Sequence, residues 1–152
     1  MLKCAPLLAA VLVMSAPVPA GAQSAVEGHA SVGLVNLIGP AFAAGADLVR
    51  PSGATVGVAG LLTSGASDLS SFGAVLVRAG GQQRGPGTRG FLVAELGLVA
   101  PADCCGPLVV VGINGGATFW RSRPWGVRLE GRGLISADGG FVVIAQAGLT
   151  FR

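Results

Sequence analysis

The sequence has no tyrosine, a single lysine at position 3, and only 11% charged residues. Soluble domains carry roughly 25%, because a surface that faces water needs them. Half of the ordinary solvent coat is therefore missing. Disorder is excluded as well, since it requires low hydrophobicity and high net charge, whereas 51% of this chain is hydrophobic and its formal net charge is +3. So small a charge also gives no electrostatic reason to expect a nucleic-acid partner. Beyond the N-terminal segment no apolar run reaches 18 residues, so helices that span a membrane are excluded by length. Cysteine is scarce too: Cys4 near the start, and the neighbours Cys104 and Cys105 between two prolines in an evident loop, with no third or fourth ligand nearby for a metal. No cofactor motif is present. The stretch G-G-Q-Q-R-G-P-G-T at 80–88 lacks the lysine and the strand-to-helix setting of a phosphate loop.

What is present begins with an export signal. Lys3 gives a basic start, an apolar run follows over 5–14, and Ala20-Gly21-Ala22 forms a small-residue cleavage site. Residues 1–22 therefore read as a signal peptide and 23–152 as one domain. Cys4 leaves with the signal.

Alternation dominates the rest. Phe141, Val143, Ala145, Ala147, Leu149 and Phe151 share one face of an extended segment, with Gln146, Gly148 and Thr150 on the other. Trp125, Val127 and Leu129 likewise alternate with Arg128, Glu130 and Arg132; a helix would scatter those three charges, and a strand collects them. Earlier segments repeat the pattern, with Glu27, His29 and Ser31, then Asp47, Glu95 and Asn114, each opposite an apolar face. The segment 71–79 is apolar on both parities, and Phe72, Ala74 and Leu76 are assigned outward. Turn-rich stretches at 36–40, 50–53, 63–70, 80–88, 100–107, 121–124 and 136–140 make seven connections, hence eight strands of about 9 to 11 residues.

The facing of the charges decides which solvent lies outside. A soluble ligand-binding barrel would charge one face of nearly every strand. Here the bulky apolar face carries no charge, and the other holds small residues with a few charges, the inverted pattern of a membrane barrel. An open sheet edge in lipid would leave backbone groups unpaired, so the barrel must close. The aromatics agree: Phe42, Phe72 and Phe141 fall at one set of strand ends, and Phe91, Phe119, Trp120, Trp125 and Phe151 at the other, as interfacial girdles require, with Phe91 the weakest member because its parity conflicts with that of Leu92. Arg121 and Arg123 beside the tryptophans then belong to a short turn at the interface and not to a nucleic-acid patch. The expectation is an all-β, eight-stranded, antiparallel up-and-down transmembrane barrel.

From G-I-N-G-G-A-T-F-W-R-S-R-P-W-G-V-R-L-E-G-R to the closing A-G-L-T-F-R, the sequence resembles the last two hairpins of small outer-membrane β-barrels, the group that includes OmpA-type transmembrane domains. The resemblance implies both termini on the periplasmic side, contact with outer-membrane lipids, and recognition of the C-terminal strand by the outer-membrane assembly machinery; in that orientation the connections at 36–40, 63–70, 100–107 and 136–140 are exterior, and they are short. Arg152 after the terminal aromatic and the position of Gly148 depart from the family pattern. A monomer in the outer membrane of a Gram-negative-type envelope is expected, structural or with a small pore.

The inward polar set is Glu27, His29, Asp47, Glu95, Asn114, Arg128, Glu130, Arg132 and Gln146. Charges confined to so narrow a barrel must pair, with Arg128 and Arg132 finding Glu130, Glu95 or Asp47. His29-x-Ser31 with Glu27 is loosely similar to lipid A deacylases, which share the scaffold, but a lipid-cleaving site must reach lipid and this face is lumenal. No catalytic residue is assigned. A lipid-modifying enzyme and a secreted soluble barrel for an apolar ligand are the alternatives.

Overall fold

The computed structural model describes residues 24–64, 71–83, 87–101, 106–122 and 124–152. Residues 1–22, read as a signal peptide, and Cys104 and Cys105 lie outside them. Eight strands follow one another: β1 Ala25–Val35, β2 Gly39–Val49, β3 Ala54–Thr63, β4 Phe72–Gln82, β5 Thr88–Pro101, β6 Leu108–Ser122, β7 Trp125–Ser136 and β8 Phe141–Phe151. Each pairs antiparallel with the next, and β8 returns to β1, closing the barrel through the register Gly28↔Phe151 to Val35↔Ile144. The strand ends beside Ala25 and Phe151 form the terminal rim, and those joined by turns such as 36–38 form the loop rim. Strands of 10 to 15 residues exceed the expected length at β5 and β6. The reason is that pairing continues through residues read as turn: Ala100 and Pro101 against Gly73 and Phe72, Thr88 against Phe119, and Ser122 against Trp125.

The period of two is obeyed throughout. Val77, Leu92, Ile113 and Phe141 are more than 60% exposed, while Glu27, Asp47, Arg132 and Asn114 are at most 3% exposed. The outward face is apolar, and the charges between the rims face in. The 36–38 turn begins with two successive left-handed residues, Asn36 and Leu37, at φ 48° and 63°, the handedness that a tight hairpin requires. The Asn36 carboxamide accepts from the Val143 amide at 3.0 Å and ties this turn to β8.

The sequence reading placed β4 the wrong way round. Ala74 and Leu76 point into the barrel, at 6% and 0% exposure, and Val75 and Val77 point out. Phe72 follows the inward parity and packs against the internal apolar cluster, so it is not a girdle aromatic. Apolarity on both parities left the facing open, and the register closes it: Arg78 stands opposite Gly57 on β3 and Glu95 on β5, so its parity must be inward. That one charge carries the strand with it.

A narrow barrel brings neighbouring backbones close on the inner face, and glycine is required where they touch. A Cβ on Gly116 would lie 2.0 Å from the Leu129 carbonyl oxygen. Gly116→Ala is therefore expected to cost about 1–3 kcal/mol through forced displacement of β7, read as a lower urea midpoint of the lipid-embedded barrel. Gly45 serves doubly: a Cβ there would lie 2.5 Å from the Val58 carbonyl oxygen and 2.8 Å from His29 Nε2, so its absence admits both the β3 backbone and the imidazole.

Candidate functional site

The inner face divides into two layers. Toward the loop rim it is apolar: Val35, Leu61, Leu76, Val99, Val110, Leu134 and Ile144 meet across the lumen with three alanines. Only the half toward the terminal rim is polar, so the expectation of a lumen lined by small and polar residues holds for half of its depth. The apolar layer escaped notice because each strand adds only one or two of its members, and period-two reading weighs the more numerous outward residues.

All nine residues of the expected polar set do face the lumen, each buried to 5% exposure or less. At the centre, Arg128 Nε donates to Glu130 at 3.0 Å and its Nη1 lies 3.9 Å from Asp47. Its guanidinium also stacks on Phe91, 3.7 Å from the ring centroid, so this ring, 8% exposed, faces the lumen and is not a girdle aromatic. Arg132 Nε meets Glu95 at 2.8 Å, and its Nη1 donates to Gln146 at 3.4 Å. Asn114 bridges, donating to Glu130 at 3.1 Å and Glu95 at 3.4 Å. Arg78 lies 3.3 Å from Asp47 and 3.9 Å from Glu95, and donates to His29 Nε2 at 3.0 Å. Since Nε2 accepts, the ring proton sits on Nδ1, facing Asp47 at 3.8 Å. Asp47, Glu95 and Glu130 thus balance Arg78, Arg128 and Arg132 charge for charge.

Glu27 belongs to a separate group at the terminal rim. Arg152 donates to it, from Nε at 2.6 Å and from Nη2 as well; Gln82 donates at 3.2 Å, and Arg89 lies 3.8 Å away. Both arginines stack over Trp120, at 4.6 and 5.8 Å from its ring centroid. Trp120 is therefore not a girdle residue. It pairs with Gly126 on the inward parity just before the irregularity that ends the β6–β7 register, and it floors the lumen mouth. Phe42, Phe119, Trp125, Phe141 and Phe151 do project outward. Among the residues not singled out from sequence, Arg78 was hidden by the β4 facing, although it is the sole charge in that strand. Arg152 was read only as a departure from a terminal pattern.

At the loop rim, the Ser136 hydroxyl and the Gly140 amide donate to Asp138 and hold its carboxyl below the usual carboxylate range. This is turn chemistry around Gly139, whose φ is 88°.

No protein-family model and no curated protein matches the sequence. Solved structures do match. The N-terminal barrel domain of Pseudomonas aeruginosa OprF superposes with a TM-score of 0.69 at 14% identity, over 86% of this chain and 98% of that one. Neisserial surface protein A gives 0.60 at 12% identity, over 83% and 93%. The chain has the fold of the small eight-stranded outer-membrane β-barrels. The outer-membrane enzyme PagL shares it, with a TM-score of 0.57 at 12% identity over 83% and 99% of the two chains. In this barrel Ser31 donates its hydroxyl to Glu130 at 2.8 Å, while His29 is engaged by Arg78. A serine nucleophile needs its histidine as base, and here each has another partner inside the lumen.

Proposed function

We propose that this chain is an integral outer-membrane protein, exported by its N-terminal signal and inserted as a monomer through its C-terminal strand, with a structural role and neither a conducting pore nor an enzyme site. The observation that carries this reading is the inward sorting of every described charge between the rims. Among the residues whose side chains are described, Glu27, Asp47, Arg78, Glu95, Arg128, Glu130 and Arg132 are all buried, while the outward face between the rims is aliphatic. In water that surface would form one continuous apolar patch, which soluble monomers avoid; in lipid it is matched to its solvent. A binder of an apolar ligand would need the opposite facing.

The closed lumen follows from its two layers. Charged side chains that neutralise one another fill the terminal half, and aliphatic side chains fill the loop half. An ion entering from either end meets a salt-bridged plug or a dry constriction. In planar bilayers the purified barrel is expected to show no discrete conductance steps, and in fractionated cells it should sediment with the outer membrane and shift on gels when heated. Recovery in a detergent-free soluble fraction would overturn the membrane reading, and reproducible single-channel steps would replace the plug by a small pore.

A further inference from the structure

We propose that the terminal rim is a binding surface for anionic phospholipid headgroups. The inference rests on the membrane reading above and adds a lipid preference to it. Its basis is how the two rims divide the charges left outside the central lumen cluster. Arg50 is exposed in the turn between β2 and β3, Arg121 is the penultimate residue of β6, Arg89 is second in β5, and Arg152 follows β8. All four lie at the terminal rim. The acid described there, Glu27, is 2% exposed and already held by Arg152 and Arg89. At the loop rim the charge among the described residues is Asp138, and the 36–38 turn is Asn-Leu-Ile. By sequence alone, the connections outside the described residues divide the same way: Arg84 and Arg123 join strands that end at the terminal rim, Asp68 and Asp103 strands that end at the loop rim. The proposal stands without them.

Two observations favour a lipid surface over a soluble polyanion. The first is depth. Phe119, Trp125 and Phe151 project outward at the same rim, with Trp125 and Phe151 paired at 5.6 Å, and such rings sit at headgroup level. The rim that carries these four positions therefore lies at the level of lipid phosphates, and a guanidinium matches a phosphate with two parallel hydrogen bonds. The second is distribution. In a ring of eight strands, the β2–β3 turn and the β6–β7 connection are four strands apart, so Arg50 and the end of β6 at Arg121 stand on opposite sides of the barrel. An annulus of lipids reaches both at once, and a soluble chain would need them on one face.

The test is insertion of the full chain, diluted from urea into vesicles. With phosphatidylcholine containing about one-third phosphatidylglycerol, insertion is expected to be about tenfold faster than with phosphatidylcholine alone. The difference should shrink to about twofold or less in about 1 M salt. The double variant Arg50→Gln/Arg121→Gln should lose most of the difference while inserting normally into phosphatidylcholine. Asp138→Asn at the other rim should leave the difference intact. Equal rates in the two lipids overturn the inference, as does a preference that survives the double variant. A barrel inserted in phosphatidylcholine that captures soluble polyphosphate yet shows no lipid preference would assign the rim to a polyanion instead. Failure to insert into any vesicle would reject the membrane reading itself, a different result from insertion without preference.

Discussion

Arg128→Ala is expected to lower the stability of the lipid-embedded barrel by about 3–5 kcal/mol, because it removes one side of a buried, multiply paired charge cluster. The wild-type guanidinium reaches Glu130 and Asp47 and covers Phe91. After truncation Glu130 keeps Asn114 and Ser31, and Asp47 keeps Arg78. The hydrogen bonds are thus partly retained, but three carboxylates then face two guanidinium groups in a medium that cannot solvate the surplus. Urea unfolding in detergent-solubilised lipid reads the loss directly. A change below about 1 kcal/mol would mean that the cluster is solvated and contributes little.

A second variant separates charge from packing. Arg128→Met with Glu130→Gln removes the pair together, fills similar volume and keeps an acceptor for Asn114 and Ser31. Replacing both members of a buried ion pair is often close to neutral, so at least half of the loss in Arg128→Ala should return. If the double variant is as unstable as the single one, the stacking of Arg128 on Phe91 is the larger contribution.

The fold was legible in the sequence wherever the two faces of a strand differ in chemistry. In β7 the alternation of Val127 and Leu129 with Arg128, Glu130 and Arg132 fixed strand, facing and site together. It was illegible in β4, where Phe72 to Val77 offers apolar residues on both faces and only the register against β3 and β5 makes the choice. Trp120 was misread for a related reason. Position at a strand end predicts an aromatic near the interface, yet inward or outward depends on parity at the point where pairing becomes irregular. The ion pairs of Arg128 and Arg132 were anticipated because an eight-stranded lumen is too narrow to keep charges apart. The Glu27 group was not, since it joins β1, β4, β5 and the residue after β8, and no local pattern reports contacts between strands that distant.

Leu96→Arg supplies the sharpest separation between a barrel in lipid and the same barrel in water. Leu96 lies mid-strand in β5, 56% exposed, between Val77 and Val111 on the outward face. It touches no member of the lumen network, so its substitution leaves the interior unchanged. In a bilayer the arginine would sit near the midplane, where a charge costs about 2–4 kcal/mol. In a water-exposed barrel the same surface change would fall within about 0.5 kcal/mol of neutral. Moving the arginine toward a rim, to Val109 beside Leu98, should reduce the penalty to about 0–1 kcal/mol if lipid is the solvent, and should make no difference if water is. A depth-dependent penalty therefore reports the surrounding medium itself. A flat response at both positions would contradict the membrane reading even if the fold, the lumen and the salt bridges were all as described.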